Sequence, residues 1–455
     1  MHYSKRADSL IVDLILSKSK AYVNDEITDC SLAIDQGKII KIGKEPSMPK
    51  TEKKLDLKNL LILPGLIDAH VHLRDEGKSY KEDFLSGTAA AAAGGITTVL
   101  DMPNNKPVTM SIEAIRKRMR LAERKALVNV GFYSEFPESV DKIERIGGEG
   151  VVAFKLYMVE QVGGLNIDDD SALSEAFTTV SGLNLPVAVH AEDKATLKRT
   201  EDKCRRANCN SIEAFLEAHS EKVETTAVKR LLNIAKQTNV HIHFCHISTE
   251  SALKVIIKAK RSGVMTTCET TPHHLLLSAD DLKRIGGSAL TMPPMREKHH
   301  NIALWRGVQK GWIDVLSSDH APHSLAEKEA HLIWDTKAGI PGLETILPLI
   351  LTQVKHGKIS IAAIVRLMSE KPAEIFGLNG KGCLKKGNDA DLVAVDLHRK
   401  YRVDASDFLS KAKYSPFDRL KIEGKPVKTF VAGQLVMDEG EIVAKPGSGE
   451  VIRRG

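Results

Sequence analysis

His70, His72 and Arg74 stand at alternate positions in LILPGLIDAHVHLRD, Leu61 to Asp75, where an apolar run ends in nitrogen-rich side chains. In an extended chain alternate residues share a face, so these three and Asp68 project to one side while Val71 and Leu73 pack on the other. Two imidazoles placed this way can grip one cation. The guanidinium cannot, because it stays protonated and offers no lone pair. A strand end with solvated polar residues explains a lone His-x-His equally well, so the rest of the chain has to decide.

Other apolar runs end in the same manner. Lys155 follows VVAF, His190 ends LPVAVH, His246 ends VHIHFCH and Asp319 ends WIDVLSSD. Nitrogen and oxygen donors without thiolates suit zinc or a similar divalent metal. Taken alone, Lys155 reads as a lysine whose head snorkels to water. Beside the other donors that reading reverses: an unpaired buried ammonium is costly, whereas a neutral amine that takes up carbon dioxide gives a carbamate able to bridge two metals. Such a pair would acidify a water for attack on a carbonyl. Asp319 could then ligate one ion, take the proton and pass it to a leaving nitrogen; a structural ion-pair partner is the plainer alternative. His320 and His323 follow in the same loop.

Converging these groups requires a scaffold that opens many strand ends onto one mouth. Eight short apolar runs recur from Leu61 to about Ser317: LLILPGLIDAHVHL, GITTVLDMP, LVNVGFYSEF, GVVAFKLYM, LPVAVHAED, VHIHFCHIS, GVMTTCETT and WIDVLSSDH. Helical stretches separate them, among them EDFLSGTAAAAAGG, closed by glycines, and SIEAIRKRMRLAERKAL, with Ser111 as its N-cap. This alternation predicts an α/β fold, a (β/α)8 TIM barrel, whose site lies at the C-terminal ends of the strands; an open doubly wound sheet is the competing reading. Residues 1–60 and 381–455 instead show short strands and turns, as in CSLAIDQGKIIKIGKE and PVKTFVAGQLVMDEGEIV, and predict a small β-sandwich from both termini around a barrel at 61–380.

At 455 residues the chain exceeds the size at which one core keeps growing, in keeping with a large domain and a smaller one. Its formal charge of +6 carries no long single-sign block, which argues against nucleic acid and suits an anionic small substrate. Six cysteines without a C-x-x-C pair indicate neither a zinc knuckle nor a disulfide framework and fit a reducing cytoplasm. No export signal and no membrane span are read.

The motifs PGLIDAHVHLRD, KEDFLSGTAAAAAGGITTVLDMPNNKP, AFKLYM, VHAED, HFCHIST, ETTPHHL, SSDHAPH, KPAEIFGL and KKGNDADLVAVD cover nearly the whole chain, and together they resemble the cyclic amidohydrolase superfamily and, within it, the dihydroorotases. The resemblance implies two Zn2+ per subunit bridged by N6-carboxylated Lys155, with His70, His72, His190, His246 and Asp319 as further ligands and Asp319 as acid-base. It implies Arg74, Asn104, Arg296 and His323 around the substrate carboxylate, and reversible closure of N-carbamoyl-L-aspartate to L-dihydroorotate in pyrimidine biosynthesis. It also implies a homo-oligomer and raises association with aspartate transcarbamoylase. Two departures stand out: Met292 replaces the asparagine of the usual N-P-P-L-R, and Asn105 replaces a threonine. The alternatives are an allantoinase or hydantoinase with the same metal cage, and a non-catalytic scaffold, which should have lost ligands. The segment VEQVGGLNIDDD after Lys155, with Gly163 and Gly164, reads as a mobile lid or as a surface connection. His241 and His243 fall on the face opposite the ligands and read as packing or buried hydrogen-bonding residues; His273, His274, His299 and His300 stay unassigned.

Overall fold

The computed structural model describes residues 11–454. Each of the eight runs contains a strand: Leu66–Val71, Ile96–Asp101, Asn129–Glu135, Ala153–Tyr157, Pro186–His190, His241–Phe244, Thr266–Thr270 and Val315–Leu316. They pair in parallel and in chain order. Val71 bridges His320 and the His72 amide donates to the His320 carbonyl at 2.8 Å, bringing the two ends of the sheet together. A doubly wound sheet would reverse its strand order partway; this one does not. The first five strands are buried on both faces, which is why their sequences read as continuous apolar runs rather than alternating ones.

Local signals set the helices between them. Asp83 caps Phe84–Ala93 in a capping box with Ser86, and the alanines present a smooth flank that packs against the barrel. Ser111 accepts from the Ala114 amide at 3.2 Å and starts Ile112–Lys125, the expected cap. The helix Lys371–Phe376 lays Phe376 against the barrel interior, where its ring meets Tyr133 edge-on at 5.8 Å. Removing that side chain should cost about 3–5 kcal/mol.

Both termini share one mixed sheet. In order it runs through Glu441–Ile442, Gln434–Asp438, Lys421–Val431, Leu392–Arg402, Leu61–Pro64, Leu14–Val23, Glu26–Asp35 and Lys38–Gly43, with Lys54–Asp56 beside Leu14–Val23. Leu14, Leu16, Ile34, Leu392 and Phe430 fill its core. Leu61–Pro64 pairs with Leu392–Val395, so the chain passes into the barrel through Gly65 rather than between residues 60 and 61. A Cβ at Gly65 would lie 2.2 Å from Thr97 Oγ1 and 2.7 Å from the Asp391 side chain, which leaves glycine as the residue that fits. The last segment returns to the barrel, with Val451 bridging Val130.

Candidate active site

Five of the six predicted ligands line a cavity of about 90 Å3 at the C-terminal mouth of the barrel, and the sixth, Lys155, is buried outside the lining. His70, His72, Arg74, Asn104, Tyr157, His190, His246, Met292 and Asp319 all line it. Arg74, His246 and Asp319 have φ of +59°, +35° and +48°. Such left-handed conformations are costly for these residue types and persist where the surroundings enforce them, a pattern that clusters at functional sites. Each occurs just beyond a strand, where the chain must turn while its side chain still faces the mouth.

His70 Nε2 and His72 Nε2 lie 3.4 and 3.5 Å from Asp319 Oδ1. The outward ring nitrogens are fixed separately. His70 Nδ1 bonds to Glu269, and His72 Nδ1 faces Asn104 Oδ1 at 2.7 Å. His190 presents Nδ1 to His246 Nε2 at 3.1 Å, while its own Nε2 bonds to Glu192 at 2.8 Å. Glu192 also accepts from His219 Nδ1 at 2.8 Å. An acceptor on the far nitrogen selects the tautomer that leaves a lone pair facing inward, the usual support of a metal-ligating histidine.

Burial pushes His70 down to about 4, and His72 and His246 well below the usual imidazole range. The rings are therefore neutral and able to coordinate. Burial also pushes the Asp319 carboxyl up to about 8, with Lys155 acting against it. Lys155 is fully buried; its Nζ lies 3.0 Å from Cys245 Sγ and 4.9 Å from the centre of the Tyr157 ring. The donor atoms of His70, His72 and Asp319 fall within 4.8 Å of one another, as do those of His70, Cys245 and Glu269. In the second group Glu269 already holds the outward nitrogen of His70, and Cys245 Sγ lies 3.0 Å from Lys155 Nζ. Neutral imidazoles, a carboxylate and a buried amine form a donor set that fits a metal site.

Arg74 lies beside these groups with its Nε buried and without a partner, its Nη2 reaching His323 Nε2 at 3.5 Å. His323 is held in turn by Lys81 Nζ at 3.0 Å and the Ala338 carbonyl at 3.1 Å. The cluster places His323 behind Arg74 rather than in the cavity lining. Arg296 is also absent from the lining: its Nε donates to Ser248 Oγ at 3.0 Å, and its Nη1 donates to the His219 carbonyl. Asn105 is buried outside the cavity lining, where its side-chain amide lies 2.9 Å from Thr109 Oγ1 and against the Arg118 guanidinium.

Glu192 and Glu269 were not singled out in the sequence, although both lie in runs that end in candidate ligands or beside them. Gly163 and Gly164 resolve as close-packing positions. A Cβ on Gly163 would meet Glu135 Cγ at 2.2 Å, one on Gly164 the Glu138 amide nitrogen at 2.2 Å. Half-buried His241 and buried His243 both contact Thr267 Oγ1 at 2.9 Å as hydrogen-bonding residues. His274 bridges Thr271 and the Pro293 carbonyl, and His300 accepts from the Glu250 amide. His320 bonds to Glu82 at 3.2 Å beneath the site. The cysteines are free, and among the described residues no helix is long and apolar enough to cross a membrane.

Comparisons with known proteins give the chain a family. Residues 61–436 match the model of the Amidohydrolase family. The chain is 35% identical over 449 residues to a dihydroorotase of Methanosarcina acetivorans, spanning 97% of this chain and 95% of that one. It is 36% identical over 442 residues to a dihydroorotase of Methanothermobacter thermautotrophicus, spanning 96% and 97% of the two. An L-hydantoinase of Paenarthrobacter aurescens is 32% identical over 449 residues, spanning 97% and 98%. Among solved structures, L-hydantoinase (dihydropyrimidinase) from Arthrobacter aurescens superposes with a TM-score of 0.94 at 32% identity, over 97% of this chain and 100% of that one. The chain belongs to the amidohydrolase family and is an enzyme acting on cyclic amides.

Proposed function

We propose that the protein is a dihydroorotase that interconverts N-carbamoyl-L-aspartate and L-dihydroorotate. The observation that carries this reading is Arg74: a buried guanidinium in the cavity wall that forms no ion pair among the described residues. A buried charge without a counter-ion is costly, so the site is built to receive an anion. Lys78 adds positive charge nearby, with burial and the neighbouring Arg74 and Lys81 pushing it down to about 8, whereas Lys81 is paired with Glu327 at 2.7 Å. The dihydroorotate carboxylate supplies what this wall lacks, and an arginine fork can accept it bidentately.

In this reading His70, His72, His190, His246, Asp319 and carboxylated Lys155 hold two zinc ions. Bound there, the metals supply Lewis acidity toward water and the ring carbonyl. Asp319 takes the proton of the attacking water and delivers it to the ring nitrogen as the amide opens; cyclisation reverses the transfer. Arg74 and Asn104 orient the carboxylate, His323 acts through its contacts behind that wall, and Arg296 acts through Ser248 and the His219 carbonyl. A cytoplasmic homo-oligomer is the expected form, and its association with aspartate transcarbamoylase is a separate question for co-purification.

Hydantoin hydrolysis is the second reading, favoured by Met292, which puts a thioether in the cavity wall where an asparagine was expected. A metal analysis coupled to absorbance assays on dihydroorotate and on hydantoin separates the two. Turnover of dihydroorotate with about two metals per chain supports the proposal. Turnover of hydantoin alone replaces it, and no turnover with metal bound points to the scaffold.

A further inference from the structure

Lys328 stands outside the cavity lining, yet it is among the most buried lysines of the chain, at 2% exposure. No carboxylate pairs with it among the described residues. Instead its ammonium donates to three backbone carbonyls: Leu290 at 2.9 Å, Lys337 at 2.8 Å and Gly339 at 2.9 Å. Three donors meet three acceptors, which accounts for the full hydrogen-bonding capacity of the head group. The Tyr414 ring lies 5.9 Å from Nζ, and the Tyr414 hydroxyl accepts from the His323 amide at 3.2 Å.

Those carbonyls belong to two different loops. Leu290 precedes Met292 in the loop after the seventh strand, and residues 337–339 close the loop after the eighth. The Gly339 amide also donates to the Leu290 carbonyl at 2.8 Å, so two hydrogen bonds, from Gly339 and from Lys328, tie Leu290 to the loop that carries both. Met292, Ala338 and Gly339 line the cavity, and the Ala338 carbonyl holds His323, which contacts Arg74. The ammonium thus fixes the backbone against which the unpaired guanidinium is set.

We propose that Lys328 is a positioning residue for the anion-recognising wall: by clamping the Leu290 and Lys337–Gly339 carbonyls together it holds Ala338, His323 and Arg74 in place to receive the substrate carboxylate. The proposal rests on the dihydroorotase reading for the identity of the anion. It does not rest on that reading for the clamp. A buried ammonium bound only by neutral carbonyls carries a desolvation cost that surface attachment would avoid, and a methionine of similar length could fill the same volume. What methionine cannot do is join the loops.

Lys328→Met tests this, with Lys328→Gln, which keeps part of the donor capacity, as the milder variant. Steady-state kinetics on dihydroorotate and hydantoin are measured together with metal content and amide hydrogen exchange at Gly339. The expected result is intact metal content, faster exchange at Gly339, and a KM for dihydroorotate raised about tenfold with kcat within about threefold, the signature of lost uniform binding. Lys328→Gln should fall between, and the hydantoin constants should move much less. Unchanged exchange at Gly339 removes the clamp. Faster exchange with equal losses on both substrates, or with lost metal, makes Lys328 a general stabiliser and overturns its role in anion recognition. If the native enzyme hydrolyses hydantoin but not dihydroorotate, the dihydroorotase reading fails; the clamp then stands or falls on the exchange at Gly339, while its link to the carboxylate falls with that reading.

Discussion

The two walls of the cavity are built on different principles. On the metal-binding side the side chains come from strand ends or lie within two or three residues of them, and the outward nitrogens of His70, His72 and His190 are tied to Glu269, Asn104 and Glu192. In the rest of the lining Met292, Ala338 and Gly339 come from loops far beyond a strand end, and Arg74, three residues past Val71, carries an Nε that has no partner. Strand ends give a rigid frame for chemistry shared by related enzymes, while loops set which substrate is admitted. Damage to the first wall should lower metal binding and turnover on every substrate. Damage to the second should change the ratio between substrates and leave the metals in place.

The largest effect is expected at Asp319. Asp319→Asn should keep the fold and lower kcat at least about a hundredfold on dihydroorotate and hydantoin alike, the low end of what a positioned acid-base contributes. Unchanged turnover with metal retained would give the proton transfer to another group. Next comes Glu269→Gln, which keeps an acceptor for His70 Nδ1 but removes the charge. Competition with a chelator should read a metal affinity lowered by about tenfold to a hundredfold, while kcat at saturating metal changes little. If affinity is unaffected, Glu269 serves the packing of His243 and not the ligand. Arg74→Met tests the other wall. Losing a charge-assisted hydrogen bond should cost roughly 1.5–3 kcal/mol in kcat/KM for dihydroorotate, with metal content intact and a smaller loss on hydantoin. Equal losses on both would make Arg74 structural.

The same division governs what the sequence revealed. Strands buried on both faces leave continuous apolar runs, so eight runs predicted eight strands, and the candidate ligands at their ends stood out as polar residues in apolar company. The first run hid a boundary, because Leu61–Pro64 and Leu66–Val71 are both buried, though in different sheets. Glu269 and Glu192 could have been found by the logic that found the histidines, since each is a carboxylate at the end of an apolar run. Lys328 could not: SLAEKEAH reads as a solvated helix, and three carbonyl acceptors leave no trace in side-chain identity. Arg296 shows the limit of motif transfer, because its spacing from MPP gives no hint that its Nε would settle on Ser248.

Met292 offers the smallest and sharpest test of the contrast. Its thioether shares the cavity lining with Asn104 and Arg74, and it carries no strong hydrogen-bond donor or acceptor. Met292→Asn exchanges an apolar contact for an amide that can reach the substrate. A net hydrogen bond contributes about 0.5–1.5 kcal/mol, so kcat/KM for dihydroorotate should rise about twofold to tenfold. A hydantoin with an apolar substituent at C5 loses a contact worth a similar amount, so its kcat/KM should fall over a comparable range. The ratio between the two substrates therefore moves more than either constant, and metal content should not move at all. A ratio shifted the other way would mean that Met292 packs against the dihydroorotate ring, and that this wall reached the same substrate by shape rather than by hydrogen bonding.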